Sequence, residues 1–212
     1  MIQVSAEVRW FVKGIIPDEL FSWFGEGALV LKELSRIDLY FALPDQDDLG
    51  IKVRDGRIEI KHRKAVIGAW CLENGVKGQV EKWDKWRLEL ANSNSYNTQV
   101  ATFNETWVPV IKSRSVRKYE WRSQDQLRTV SAESEINEGC GVELTEINFR
   151  DQRWWTFGLE AFGTLKNVET ILRLALDQTL STGAVSHFKI ENSYSYPHWL
   201  GIVLKDSRNS NL

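Results

Sequence analysis

Charged residues alternate with apolar residues along one short stretch of the chain, IKVRDGRIEIKHRK, which begins at Ile51. Its centre, Asp55-Gly56, is a strong turn signal, because both central residues of a type I′ turn need positive φ. The stretch therefore predicts a β-hairpin, in which successive side chains point to opposite faces. One face would be apolar, with Ile51, Val53, Ile58 and Ile60, and the other would carry Lys52, Arg54, Arg57, Glu59, Lys61 and Arg63.

Two interpretations of the charged face remain open. On a sheet exposed to solvent, like charges that face each other cost only about a few tenths of a kcal/mol. Inside a closed barrel the same cations would be unfavourable unless an anion compensated them. We expect such an anion, if the barrel is closed, to be a bound polyanion.

Other predicted strands, far apart in sequence, also carry polar residues on one side. They are Ser5, Glu7 and Arg9 in SAEVR, Lys77, Gln79 and Glu81 in VKGQVEKW, Lys112 and Arg114 in VIKSRSV, and Gly158 and Glu160 in WTFGLEAFG. Guanidinium groups bind phosphate oxygens in pairs and ammonium groups supply point charge, so cations on converging strands favour a phosphate site. Carboxylates among them could hold a divalent metal that bridges the same phosphates.

The elements that must position these residues are mostly strands. A short helix is predicted from Pro17 to Gly25, and a longer one begins after the cap residue Asn167 and ends before Gly183. The pattern predicts an α+β fold, mostly β, in the form of an antiparallel barrel or a strongly curved sheet with peripheral helices. Residues 1–212 would form one domain, with the C-terminal helix and tail, residues 167–212, packed on it. Most of the ten tryptophans would fill the space between the barrel and the helices.

Composition limits the partners. The net charge is −2, so no overall positive field would attract DNA or an anionic membrane. Cys71 and Cys140 are isolated and predict buried reduced thiols, and the three histidines lack the spacing of zinc ligands. No segment looks like a signal peptide or a membrane span, so the expected location is cytoplasmic.

The order of these motifs, from about Val4 to Gly163, resembles the CYTH superfamily, the triphosphate tunnel metalloenzymes. Ser5, Glu7 and Arg9 stand at the positions of the family's ExExK strand. Lys52, Arg54 and Lys61 match its paired-basic strand and the lysine strand that follows, and Lys112 and Arg114 match its later KxR-like strand. Gly158 and Glu160 stand where the family has a final ExE pair.

The resemblance implies that the sheet is a closed antiparallel β-barrel (tunnel) with peripheral helices, and it implies roles for these positions. Glu7, Arg9 and Lys61 would be catalytic, and the substrate would be bound by Arg9, Lys52, Arg54, Lys61, Lys112 and Arg114. A Mg²⁺ or Mn²⁺ ion would be held by Glu7 and Glu160, with help from Glu81 or Glu143. The implied function is binding and hydrolysis of a triphosphate or polyphosphate, either a phosphorylated small molecule or a free chain.

The departures from the family pattern leave alternatives open. Ser5 and Gly158 replace two carboxylates, and neither residue can supply a charged oxygen ligand to a metal ion. A chain that lost its metal site in this way would be a non-catalytic polyanion-binding or regulatory module. A β scaffold that binds another protein is a third possibility. The sequence specifies neither the substrate nor the oligomeric state.

Overall fold

The computed structural model describes residues 2–26, 29–43, 45–90, 106–122, 126–181 and 185–209. Its ten strands are β1 (Gln3–Lys13), β2 (Leu31–Lys32), β3 (Arg36–Phe41), β4 (Leu49–Arg54), β5 (Arg57–Cys71), β6 (Lys77–Glu89), β7 (Trp107–Arg122), β8 (Gln126–Val130), β9 (Gly139–Phe149) and β10 (Gln152–Gly163). Eight of them form a closed antiparallel barrel in the order β7-β3-β4-β5-β6-β1-β10-β9, with β9 pairing back to β7. The short strands β2 and β8 pair with β7 outside this ring. The predicted fold class, a mostly β closed barrel with helices, is confirmed.

The hairpin between β4 and β5 has the predicted register. Asp55 and Gly56 both have positive φ, 48° and 72°, and Arg54 pairs with Arg57 across the turn. The strands that follow are longer than the sequence pattern indicated. β5 continues to Cys71 through two register shifts, and β6 continues without a break to Glu89.

The outer face of one half of the barrel is covered by two helices, α1 (Asp18–Gly25) and α2 (Val168–Leu180). Outward-facing residues of β1, β9 and β10 form an apolar core with the buried sides of these helices, and examples are Trp10, Leu144 and Phe157. Pro17 precedes α1 as its cap rather than beginning the helix. Asn167 caps α2 without a side-chain bond to the helix, because its amide donates to Glu138 instead. Gly183, the predicted stop signal, lies outside the described residues.

A third helix, α3 (Tyr196–Asn209), packs against the inside of the barrel at one end. Its apolar residues, Trp199, Leu200, Val203 and Leu204, meet inward-facing residues of the strands, namely Phe11, Tyr40, Val108, Val110, Ile147, Phe149 and Trp154. Phe11 and Trp199 stack with their ring centroids 5.3 Å apart. This second core fills one end of the barrel, so the bore has a floor.

One burial prediction was wrong. Cys140 is buried, but Cys71 is exposed, because it is the last residue of β5, at the rim where it pairs with Lys77. Within the described ranges, no helix has the length and apolar character needed to cross a membrane.

Candidate binding site inside the barrel

A cavity of about 750 Å³ lies inside the barrel, lined by residues from all eight barrel strands. Its lining includes ten cations: Arg9, Arg36, Lys52, Arg54, Lys61, Lys85, Arg87, Lys112, Arg114 and Lys118. It also includes nine acids: Glu7, Glu33, Asp38, Glu59, Glu81, Glu133, Glu135, Glu143 and Glu160. All ten residues predicted to take part in catalysis, substrate binding or metal binding line this cavity. Arg57 lies outside it, in an exposed pair with Glu89.

The floor of the cavity combines two cations with two tyrosine rings. The Lys112 ammonium lies 3.8 Å from the ring centroid of Tyr196 and 2.6 Å from the hydroxyl oxygen of Tyr40, to which it donates. The Arg9 guanidinium lies 4.9 Å from the Tyr196 ring centroid. Burial lowers the pKa of Lys112 well below its usual value, despite the nearby carboxylate of Asp38. The floor therefore holds two basic side chains against the faces of aromatic rings.

Asp38 is the shared counter-ion of three strands. Its side chain is fully buried, and its carboxylate oxygens lie 3.2 Å from Lys112 Nζ, 3.3 Å from Lys52 Nζ and 3.3 Å from Arg36 Nε. Burial alone would raise the pKa of Asp38, but the charges of Lys112, Lys52 and Arg36 hold it far below the usual range. Asp38 therefore stays ionised and ties β3 to β4 and β7.

Glu59, on β5, is a second shared counter-ion two strands further along the sheet. It lies 2.7 Å from Arg54 and 3.0 Å from Lys52, and its side chain is only 3% exposed. Burial would raise its pKa, but Lys52, Lys85 and Arg54 lower it to about 2. From the sequence we expected a bound polyanion to compensate the positive charge inside the barrel. Carboxylates of the barrel wall supply most of this negative charge instead.

Three carboxylates form a row across adjacent strands. In the register of the sheet, Glu7 of β1 is opposite Glu160 of β10 on one side and Glu81 of β6 on the other. Lys61 Nζ lies between two of them, 2.5 Å from Glu7 and 3.2 Å from Glu160. Burial lowers the pKa of Lys61, but Glu160 and Glu7 outweigh it and raise the pKa above the usual lysine value. Arg63 pairs with Glu81 at 2.8 Å.

Glu143 lies apart from this row. It pairs with Arg9 at 3.2 Å and with Arg114 at 2.5 Å, and Arg114 also holds Glu33 at 2.6 Å. Burial raises the pKa of Glu143, but Arg114 and Arg9 bring it well below the usual value. Both oxygens of this carboxylate are therefore engaged by guanidinium groups.

The predicted metal ligands do not fit a divalent ion as they are arranged. Glu7, Glu160, Glu81 and Glu143 are each paired with a lysine or an arginine. Among the described residues, no three His, Cys, Asp or Glu side chains are grouped so that they could hold a metal ion. A hard cation needs several oxygen ligands at once, and here at least one oxygen of each carboxylate is paired with a protein cation. The metal and the catalytic roles stay predictions.

Several residues of the cavity were not identified from the sequence. Asp38 is the one acid of β3, and although Arg36 lies two residues before it on the same face, nothing local indicates its other partners, Lys52 and Lys112. Tyr196 comes from the C-terminal segment, which returns to the bore only in the folded chain. Lys85 could have been found by extending the alternation that identified Glu81, and Glu59 was placed on the charged face of the hairpin but was given no role.

No family model matches the chain, and no curated protein matches it. Solved structures show weak similarity. The chain is similar to the PH1819 protein from Pyrococcus horikoshii OT3, with 13% sequence identity and a TM-score of 0.48, over 95% of this chain and 99% of that one. It is also similar to a conserved hypothetical protein from Pyrococcus furiosus, with 12% identity and a TM-score of 0.39, over 91% and 98% of the two chains. At these identities neither similarity bears on function.

Proposed function

We propose that the barrel binds a triphosphate-bearing small molecule or a short polyphosphate chain in its bore. The observation that carries the proposal is the convergence of ten cations, all located on strands, in one cavity. Six of the nine lining acids are on strands, and Glu33, Glu133 and Glu135 come from the connections between strands. Among the described residues, the strands that line the cavity therefore contribute more positive than negative side chains, although the chain as a whole is slightly acidic.

The cations have hydrogen-bond capacity beyond their contacts with the wall. A guanidinium has five N–H donors and an ammonium has three, whereas Arg54, for example, reaches Glu59 through one nitrogen. A chain of phosphates could bind the remaining donors of several strands at once. The resemblance of the motif order to the triphosphate tunnel metalloenzymes supports the same class of ligand.

Binding without hydrolysis is the function that the carboxylates favour. The acids that would hold a catalytic ion are engaged by Lys61, Arg63, Arg9 and Arg114. Since metal-assisted phosphoryl transfer depends on the ion to neutralise developing charge, we propose a polyanion-binding module rather than a triphosphatase. An assay of phosphate release from tripolyphosphate, ATP and thiamine triphosphate, with and without Mn²⁺, distinguishes the binding module from the triphosphatase. Turnover of any of these substrates would show that the protein is a triphosphatase.

Thermal unfolding with tripolyphosphate tests the binding itself. A ligand that binds only the folded state at about 100 times its Kd adds about 2.7 kcal/mol, which corresponds to a rise in Tm of roughly 5–11 °C for a chain of this size. Inorganic monophosphate at the same concentration should have a much smaller effect, because it reaches fewer strands. If no polyanion changes the Tm, the bore is a structural ion-pair network and the scaffold interpretation stands.

The hairpin supplies a matched pair of variants. Arg54 and Arg57 face each other across the turn, but Arg54 lines the cavity and Arg57 is exposed outside it. Arg54→Met should weaken tripolyphosphate binding about tenfold or more, as expected for the loss of a charge-assisted hydrogen bond. Arg57→Met should change the affinity by less than about twofold. Equal effects of the two substitutions would mean that binding occurs on the outer surface.

A further inference from the structure

Two protein cations lie among the carboxylates that were predicted to bind a metal ion. The ammonium of Lys61 lies between Glu7 and Glu160, at 2.5 Å and 3.2 Å. The guanidinium of Arg9 is bound to Glu143 at 3.2 Å. Both cations are on barrel strands and line the cavity.

Gly158 makes the position of Arg9 possible. In the register of the sheet, Gly158 lies between Arg9 on β1 and Glu143 on β9. A Cβ atom at position 158 would lie 2.5 Å from Cζ of Arg9 and 2.8 Å from both terminal nitrogens, closer than packed atoms approach. The absence of a side chain therefore leaves the space in which the guanidinium lies across β10 and reaches Glu143.

Other contacts fix the guanidinium in this space. One terminal nitrogen donates to Oγ1 of Thr156 at 3.5 Å, and the guanidinium packs over the ring of Tyr196. Burial opposes its charge, but Glu143 and the surrounding acids outweigh burial and raise the pKa of Arg9. The side chain is thus a permanent cation beside the floor of the bore.

We propose that Arg9 and Lys61 together replace a divalent ion in this barrel, so that phosphates bind to them directly and without metal. The inference rests on the proposed function and adds a specificity to it: the preferred ligand is the metal-free polyphosphate rather than its Mg²⁺ complex. Ser5 and Gly158, which appear in the sequence as lost ligands, then belong to a rearranged site whose cations are part of the protein.

Calorimetric titration of the wild-type protein with tripolyphosphate tests the proposal. In excess EDTA we expect binding, and with Mg²⁺ in excess over the ligand we expect weaker binding, because the ion cancels ligand charge. Titration with Mn²⁺ alone should give no binding. An affinity with Mg²⁺ that equals or exceeds the affinity in EDTA would overturn this inference and leave the proposed function intact, whereas no binding in either buffer would overturn the proposed function.

Two glycines provide a pair of variants. A Cβ at Gly158 meets the Arg9 guanidinium, whereas a Cβ at Gly25, the last residue of α1 on the outer face of the barrel, meets nothing within 4 Å. In EDTA, Gly158→Ala should weaken tripolyphosphate binding about tenfold or more, because the guanidinium must leave its position, and Gly25→Ala should bind within about twofold of wild type. Arg9→Lys, which keeps the charge but shortens the reach, should weaken binding as Gly158→Ala does. Equal affinity of all three variants and wild type would show that Arg9 does not contact the ligand.

Discussion

The substitution Asp38→Asn tests whether wall carboxylates hold the barrel together. It keeps the size of a fully buried side chain but removes the negative charge shared by Lys112, Lys52 and Arg36. Removing one partner of a buried ion pair typically costs about 3–5 kcal/mol, because the remaining charge stays buried and uncompensated. For a domain of this size we therefore expect the Tm to fall by roughly 6–20 °C.

The assay is urea unfolding followed by tryptophan fluorescence and circular dichroism, with Asp45→Asn as the control. Asp45 makes one exposed pair with Lys205 at 3.4 Å, and such pairs contribute about 0–1 kcal/mol. Tripolyphosphate should stabilise the Asp38→Asn variant more than the wild type, because it supplies the missing negative charge. If the free energy of unfolding of Asp38→Asn falls by less than about 1 kcal/mol, as expected for the control, the three cations are not held by this carboxylate. That result would refute the claim that wall carboxylates stabilise the barrel.

Three further predictions concern the acids and the floor. Because the pKa of Glu59 is lowered to about 2 from an ordinary 4.5, its contribution of about 3 kcal/mol to stability is complete above pH 4.5 and is lost as the pH falls toward 2. Glu59→Gln should therefore flatten the pH dependence of the unfolding free energy in that window, and an unchanged slope would contradict the assignment. Trp199→Ala, at a fully buried ring of α3, should cost about 3–5 kcal/mol in chemical denaturation, and a loss below about 1 kcal/mol would mean that α3 does not fill the barrel end. Tyr196→Phe should keep tripolyphosphate affinity near wild type, whereas Tyr196→Ala should weaken it several-fold, because the ring face and not the hydroxyl packs against the cations. If calorimetry gives the same affinity for both variants, the ring does not contribute to the site.

Local pattern was enough to predict the barrel wall. The turn at Asp55-Gly56 fixed the hairpin register, and the period of two placed Lys52 and Lys61 on the face that became the bore. These predictions depend on steric and hydrogen-bond rules that act within a few residues, so a single sequence contains them.

The charge balance of the bore could not be predicted in the same way. It depends on which strands become neighbours, and Asp38 meets Lys112 only because β3 pairs with β7. In the sequence, Gly158 stands where the family has a carboxylate. That it leaves room for the Arg9 side chain follows only from the register of β1, β10 and β9. The position of Tyr196 depends on α3 entering the barrel, for which the strand pattern gives no indication.

The floor made by α3 has a consequence for the shape of anything that the bore accepts. In the described part of the chain, α3 fills one end of the barrel, hydrogen-bonded strands form its sides, and residues 132–137 also line the cavity. If the proposed ligand enters from the end opposite α3, a linear molecule with a free terminus fits this shape better than the interior stretch of a long polymer does.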